Sequence, residues 1–231
     1  MRAKTSFGRK STHTRGFDMT TIIMIRHGES LANKEGRFAG HSDYDLSDLG
    51  REQASRAGEY IKKHYKVDAV FASDLKRAFN TAAPTAELFG LPVVADEGLR
   101  ELYVGEWETL HHLEVSERYP KEFEIWMTDF ANAYCPGGES IRELHDRIVP
   151  VVLRLAREND GKTIVIATHS TPVRAFECYA MGLPAERIDE APTPVNASIC
   201  VFNVDNGKAS VEKFNITEHI EDMITAPAFK Y

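Results

Sequence analysis

The chain has 231 residues, of which 42% are hydrophobic and 27% charged, and a formal net charge of −7. This composition is typical of a globular protein with one full-sized core, and the sequence contains no low-complexity tract. The acidic balance argues against binding to nucleic acid. The lack of an apolar run of roughly 20 residues argues against insertion into a membrane.

Three cysteines, Cys135, Cys178 and Cys200, are widely spaced and form no CxxC or Cys/His cluster. That pattern argues against a disulfide framework or a zinc site. We therefore expect a reducing, cytoplasmic location.

The first 18 residues are basic and rich in Ser and Thr, with five Arg and Lys against one Asp. They lack the apolar stretch that a secretory signal needs. We interpret residues 1–18 as a disordered extension ahead of a single domain over 19–231. An organellar transit peptide is the alternative, because acidic residues are scarce in such peptides.

From Met19 onwards, apolar β-branched runs alternate with amphipathic stretches. Buried strands are predicted at 21–25, 67–72 and 163–168, and a short strand at 92–95. Helices are predicted at 47–65, beginning near Ser47, at 74–89, ending at Gly90, at 141–155 and at 172–181. An Asn206-Gly207 turn between runs at 199–204 and 209–214 predicts a hairpin.

Residues 102–138 interrupt this alternation, because they are rich in aromatic side chains and end in Pro136-Gly137-Gly138. We interpret them as helical pieces that form a cap. Strands that alternate with helices favour a mostly parallel sheet with helices on both faces. The predicted fold class is therefore α/β, a three-layer α/β/α arrangement with an antiparallel edge and a helical cap excursion.

Two of the predicted strands end in a histidine. The motif RHGES, with Arg26 and His27, follows the first strand, and His169-Ser170 follows the strand at 163–168. Ligand sites of α/β proteins gather at the carboxyl ends of the strands, so we expect the two histidines to face each other. A single histidine after a strand is more typical of a structural residue, so the inference depends on the pair.

Six sequence blocks, in order between residues 21 and 203, resemble the histidine phosphatase (phosphoglycerate-mutase-like) superfamily. They are RHGES at 26–30 with Asn33, LS at 46–47 with Gly50, ASDLKRA at 72–78 with TA at 81–82, LRE at 99–101 with GEWE at 105–108, PGGES at 136–140, and ATH at 167–169 with RA at 174–175.

The resemblance implies a phosphohydrolase that passes the phosphoryl group of a small phosphomonoester through His27, without a cofactor or a metal. It assigns Arg26 and Arg77 to the phosphate oxygens, which suits the planar fork of a guanidinium group. His169 is expected to be a second donor, most useful as a cation. Glu101 is expected to be the general acid and base, which needs a carboxyl group that holds a proton near neutral pH.

Neighbouring carboxylates compete for the role of the acid; they are Glu97, Glu106 and Glu108. The family pattern selects Glu101, whereas the residues alone leave the choice open. The same pattern implies no role for the remaining histidines, which show no metal-ligand spacing.

The expected substrate-binding residues are Asn33, Ala39, Gly40 and Ser170. Asn33 offers an amide hydrogen bond, although a turn residue fits its position equally well. Many members of the family carry Gln or Thr where Ala39 stands and Gly-Gly or Gly-Asn where Ser170-Thr171 stands. We expect Ser170 to offer its amide or hydroxyl at a helix start, where anions bind well.

Three functions stay open: a phosphatase, a phosphoglycerate mutase and a non-catalytic binding module. A mutase binds substrates with extra anionic groups, whereas residues 102–138 hold seven acidic residues against two basic ones. That imbalance favours a phosphatase whose substrate has a neutral or ring-bearing organic part. The presence of all five reacting groups disfavours the binding module. The oligomeric state stays open, with a homodimer as one option.

Overall fold

Six strands form one mixed sheet in the computed structural model, which describes residues 18–224. The strands are β1 Thr20–Arg26, β2 Ala69–Ala72, β3 Val93–Ala95, β4 Thr163–Thr168, β5 Ile199–Asp205 and β6 Lys208–Ile216. Their order is β3-β2-β4-β1-β5-β6, with the first four parallel and the last two antiparallel to their neighbours. The predicted extension lies outside the described residues, apart from Asp18.

Seven α-helices accompany the sheet in the described part of the chain. They are α1 Leu31–Glu35, α2 Asp48–His64, α3 Lys76–Phe89, α4 His112–Arg118, α5 Pro120–Thr128, α6 Ile141–Glu158 and α7 Ser170–Ala180. Among these residues, no helix is long and apolar enough to cross a membrane.

Alternate residues of the central strands point into two separate cores. Ile22 and Met24 of β1 join a core with α6, α7 and the cap, whereas Ile23 and Ile25 join a core with α2 and α3. Because both faces of the sheet are covered, the central strands are apolar throughout. The three-layer α/β/α prediction is confirmed, and the hairpin at Asn206-Gly207 forms the expected antiparallel edge.

Local signals explain where the main helices begin and end. The Ser47 hydroxyl accepts a hydrogen bond from the Gly50 amide at the start of α2, and Gly90 ends α3 in the left-handed conformation, with φ of 66°. The predicted start of α3 at residue 74 is two residues too early, because the Asp74 carboxylate pairs with Arg100 and Leu75 is extended. Helix α7 begins at Ser170, two residues before the predicted start.

The predicted helical excursion at 102–138 consists of α4, α5 and two short 3₁₀ turns. Its aromatic residues form a core of their own. Trp107 is fully buried and packs edge-on against Phe38 and Trp126, whose ring meets that of Phe130. Most of the aromatic surface of the cap is therefore used for packing.

All three cysteines are buried and free. Burial raises the pKa of Cys135 and of Cys200 to about 12.

Two glycines bring the loop after β1 into backbone contact with the first turn of α2. A Cβ atom at Gly28 would lie 2.4 Å from the Gly50 carbonyl oxygen, and one at Gly50 would lie 2.0 Å from the Glu29 carbonyl oxygen. The Ser47 amide also donates to the Glu29 carbonyl. Only residues without a side chain fit this contact, so it determines where the loop after β1 lies.

We predict that Gly50→Ala lowers the free energy of unfolding by about 1–3 kcal/mol, because two backbones must move apart. Urea unfolding measures the change. Glu59→Ala, an exposed change in the same helix, is the control and is expected to stay within about 0.5 kcal/mol of the wild type. Equal stability of Gly50→Ala and the control would contradict the packing described here.

Candidate active site

The two predicted histidines lie side by side at the carboxyl ends of β1 and β4. Arg26 pairs with Thr168 in the parallel ladder, and the His27 amide donates to the Thr168 carbonyl at 2.9 Å. The ring centroids of His27 and His169 are consequently 5.2 Å apart, with the rings at 66° to each other.

The ring of His27 is held in one tautomer. Its Nδ1 atom lies 2.7 Å from the Gly28 carbonyl oxygen, which can only accept a hydrogen bond, so Nδ1 carries the proton. Burial, and then the charges of Arg77 and Arg26, hold the pKa of His27 well below its ordinary value. The ring is therefore neutral at pH 7, and Nε2 has a lone pair.

Arg77 is buried in the first turn of α3 and is oriented by the loop between α1 and α2. Its guanidinium group donates to the carbonyl oxygens of Gly40 at 2.7 Å and Ser42 at 2.9 Å. Burial lowers the pKa of Arg77 to about 10, so the group stays charged at neutral pH.

Arg26 is oriented by the loop between α7 and β5. Its Nη1 atom donates to the Pro194 carbonyl at 2.6 Å. In the same loop, the Asn196 side chain donates to the His27 carbonyl, and the Ala197 amide contacts the carbonyls of both Arg26 and His27. One loop thus supports two expected site residues.

Asn33 is held beside the site by its side-chain oxygen. The oxygen accepts hydrogen bonds from the Ser30 amide and hydroxyl and from the Asn196 side chain. Those donors identify the oxygen of the side chain, and Asn33 is one of the residues that line the cavity. The residue caps α1 and lines the site, so the two interpretations of Asn33 are compatible.

Several buried polar atoms around His27 have no hydrogen-bond partner among the described residues. They are Nε of Arg26, Nε of Arg77, both ring nitrogens of His169 and Oγ of Ser170. Buried polar groups of folded proteins are nearly always satisfied. A cluster of potential donors that includes two guanidinium groups fits an anion with several oxygens, such as a phosphoryl group.

His169 differs from the expectation in its charge. It is fully buried beside His27, and burial, followed by the charge of Arg77, holds the pKa of His169 well below its ordinary value. The ring is neutral in the protein alone, because a second cation beside Arg77 would be costly. A bound dianion would favour its protonated form.

Glu101 lies at the N-terminus of α7. Its carboxylate accepts hydrogen bonds from the amides of Leu102, Ser170 and Thr171 at 2.8–3.3 Å. The expectation that the Ser170 amide is available to a substrate is therefore wrong, because Glu101 occupies that amide. The Ser170 hydroxyl stays available.

The three competing glutamates have other partners. Glu97 is exposed and pairs with Arg100, and Glu106 accepts from the Tyr119 hydroxyl. Glu108 accepts from the His41 amide and the Ser42 hydroxyl, which supports the loop that orients Arg77.

A cavity of about 610 Å³ opens in front of these groups. Every expected site residue except His169 lines it, including Ala39 and Gly40. From residues 102–138, only Leu102, Val104 and Trp126 contribute to the lining, and all three are apolar. Within the described residues, no group of three or more His, Cys, Asp or Glu side chains is placed to hold a metal ion.

Residues 22–217 match the family model of the histidine phosphatase superfamily, branch 1. The chain belongs to this superfamily. Its relatives include phosphoserine phosphatases, one of them metal-independent. Together with the family match, they identify the chain as a histidine-type phosphatase.

Three comparisons illustrate the similarity. Phosphoglycerate mutase-like protein 4 of Arabidopsis thaliana is 34% identical over 208 residues, or 89% of each protein. Phosphoserine phosphatase 1 of Hydrogenobacter thermophilus is 30% identical over 202 residues, or 87% of this chain and 95% of that protein. The structure of a mycobacterial glucosyl-3-phosphoglycerate phosphatase has a TM-score of 0.78 at 28% identity, and the match covers 85% of this chain and 99% of that one.

Sequence reasoning missed the residues of this phosphatase that support the site from a distance. Pro194 and Asn196 lie in a loop without periodicity, and Pro194 acts only through its backbone carbonyl. No residue-level signal identifies such a carbonyl as functional.

We predict that the free energy of unfolding falls as the pH drops below about 6.5, where histidines of the unfolded chain take up protons. His27 and His169 resist protonation in the fold, so each contributes up to about 1.4 kcal/mol per pH unit until its folded pKa is reached. Urea unfolding at pH 7, 6 and 5 measures the slope. His169→Gln is expected to flatten it, and an unchanged slope in that variant would contradict a buried neutral His169.

Proposed function

We propose that this phosphatase hydrolyses small phosphomonoesters through a phosphohistidine on His27. The observation that carries the proposal is the hydrogen bond from Nδ1 of His27 to the Gly28 carbonyl. Together with the lowered pKa of this ring, it leaves Nε2 as a nucleophile amid buried donors.

In the first step, the Nε2 lone pair forms a bond to phosphorus and the ester P–O bond breaks. Arg26, Arg77 and the amide of Asn33 stabilise the charge on the equatorial oxygens. The leaving alkoxide takes a proton from the carboxyl group of Glu101.

In the second step, a water oxygen forms a bond to phosphorus while the P–N bond to His27 breaks. Glu101, now a carboxylate, accepts the proton of that water, and inorganic phosphate leaves. The step restores the neutral ring of His27 and the protonated Glu101, so the cycle closes without a metal or a cofactor.

Hydrolysis is favoured over return of the phosphoryl group to an acceptor. A mutase must hold a second anionic group of its substrate firmly. Apart from the two arginines expected to bind the phosphate, the cavity lining offers only Lys34 and Arg37 as cations among the residues that the structure describes, and Arg37 pairs with Glu35. The names of two of the three relatives above also describe phosphatases. A non-catalytic module is disfavoured, because four of the five reacting groups line one cavity and the fifth, His169, packs against His27.

We expect hydrolysis of p-nitrophenyl phosphate to persist in EDTA and to be abolished by His27→Ala. Rapid acid–base analysis of enzyme mixed with substrate is expected to reveal a phosphoryl adduct that is labile in acid and stable in base, as a P–N bond requires. Loss of wild-type activity in EDTA, or an active His27→Ala, would overturn the mechanism.

The residues that line the cavity indicate which organic group the substrate carries more directly than the composition of the cap does. The seven acidic residues of 102–138 do not line the cavity, so they offer no direct repulsion to a substrate carboxylate. Lys34 and Arg37 do line it, and Arg37 already pairs with Glu35. Lys34 is exposed at the end of α1, with no salt bridge within the described residues. We propose that Lys34 favours substrates whose organic part carries a carboxylate.

We predict that Lys34→Ala raises KM for O-phosphoserine about two- to fivefold, the scale of one exposed charge pair. KM for p-nitrophenyl phosphate, which has no second anion, is expected to stay constant. Lys121→Ala, which removes a cap lysine outside the cavity, is the control. A preference for bisphosphorylated acids over monophosphates across a substrate panel would instead favour a mutase.

A further inference from the structure

The segment that carries Glu101 has no strand partner of its own. Residues 97–99 form a 3₁₀ turn, and the backbone is then extended at Arg100. Four consecutive carbonyl groups, those of residues 98 to 101, would lack hydrogen bonds unless side chains supplied them.

Arg147 of α6 supplies most of those hydrogen bonds. Its Nη1 atom donates to the carbonyls of Gly98 at 2.9 Å and Arg100 at 3.0 Å, and Nη2 donates to the carbonyl of Glu101 at 3.1 Å. The Glu101 carbonyl also accepts from Nε2 of His41 at 2.8 Å. The remaining carbonyl, that of Leu99, accepts from the Thr168 hydroxyl at 2.7 Å.

Glu139 of the PGGES block completes the arrangement. Its carboxylate accepts from Nε of Arg147 at 2.9 Å and from Nη2 at 2.8 Å. All five N–H groups of the guanidinium are thus used, three on the Glu101 segment and two on Glu139. The backbone of Glu139 is itself fixed, because its amide donates to the Tyr103 carbonyl at 2.7 Å.

We propose that Arg147 is a positioning residue for Glu101 and that Glu139 holds Arg147 in place. The inference rests on the proposed role of Glu101 as general acid. A guanidinium group reaches three carbonyls and a carboxylate at once because its donors are planar and diverge, whereas an ammonium group is a single point. Loss of this geometry lets the Glu101 backbone move, and proton transfer is sensitive to small displacements.

The test separates this role from a merely structural one by means of the leaving group. We compare kcat/KM, which reports only the steps up to phosphorylation of His27, for O-phosphoserine and p-nitrophenyl phosphate. The serine alkoxide needs a proton as it leaves, whereas nitrophenolate does not. We expect Arg147→Lys to lower kcat/KM for O-phosphoserine by about tenfold or more, and to change that for p-nitrophenyl phosphate by less than about threefold.

Two further variants make the result specific. Arg147→Lys added to Glu101→Gln is expected to cause no further loss on O-phosphoserine, because the positioned group is already gone. Arg154→Lys, the same exchange two turns later in α6 at a residue that pairs with Asp96 and Glu158, is the matched control and is expected to keep both values.

If Arg147→Lys does not fold, Glu139→Gln carries the test, because it loosens Arg147 without removing it and is expected to show the same leaving-group pattern to a smaller degree. Equal losses on both substrates, or losses that add to those of Glu101→Gln, would overturn the inference. If Glu101→Gln itself shows no leaving-group dependence, the proposed general acid fails first, which is a distinct outcome.

Discussion

The parallel pairing of β1 with β4 is the constraint on which the site depends. It aligns Arg26 with Thr168, so the two residues that follow, His27 and His169, emerge at the same level of the sheet edge. The two histidines are 142 positions apart in sequence, and strand pairing brings them together. No direct bond between their side chains is needed to hold them there. Because strand register is specified along the whole buried ladder, the separation of the rings is set by many hydrogen bonds rather than by one loop.

Burying so many polar groups has a cost, and the surrounding loops offset it with backbone carbonyls. The carbonyls of Gly40, Ser42 and Pro194 each accept from a guanidinium group of the site. Neutral acceptors orient the two arginines without cancelling their charges, as carboxylates would. The positive potential therefore remains directed at the cavity, where an anionic ligand can use it.

Much of the architecture could be predicted from the sequence, because its signals are local. The apolar runs at β1 and β4 predicted strands buried on both faces, and Ser47 and Gly90 marked helix ends by capping chemistry that the structure shows. His27 and His169 could be expected to meet, because the carboxyl ends of parallel strands lie at the same edge of a sheet. The choice of Glu101 over its neighbours needed the family resemblance.

The remaining features depend on tertiary contacts. The cap is acidic in composition, but composition does not tell where side chains point, and the carboxylates of the cap do not line the cavity. In the sequence, Arg147 is simply one polar position of an amphipathic helix. The carbonyls that it contacts lie 46 to 49 residues away, so no local pattern marks its role. The charge of His169 follows from burial beside Arg77, which no local pattern encodes.

The burial of the cysteines affects how the protein reacts with oxidants. Reaction with peroxide requires a thiolate that is accessible, and the thiols of Cys135 and Cys200 are buried and remain protonated at physiological pH. The proposed nucleophile is an imidazole, which does not follow the sulfenic acid route of a catalytic thiol. A phosphatase with an imidazole nucleophile therefore offers peroxide no catalytic thiol to oxidise.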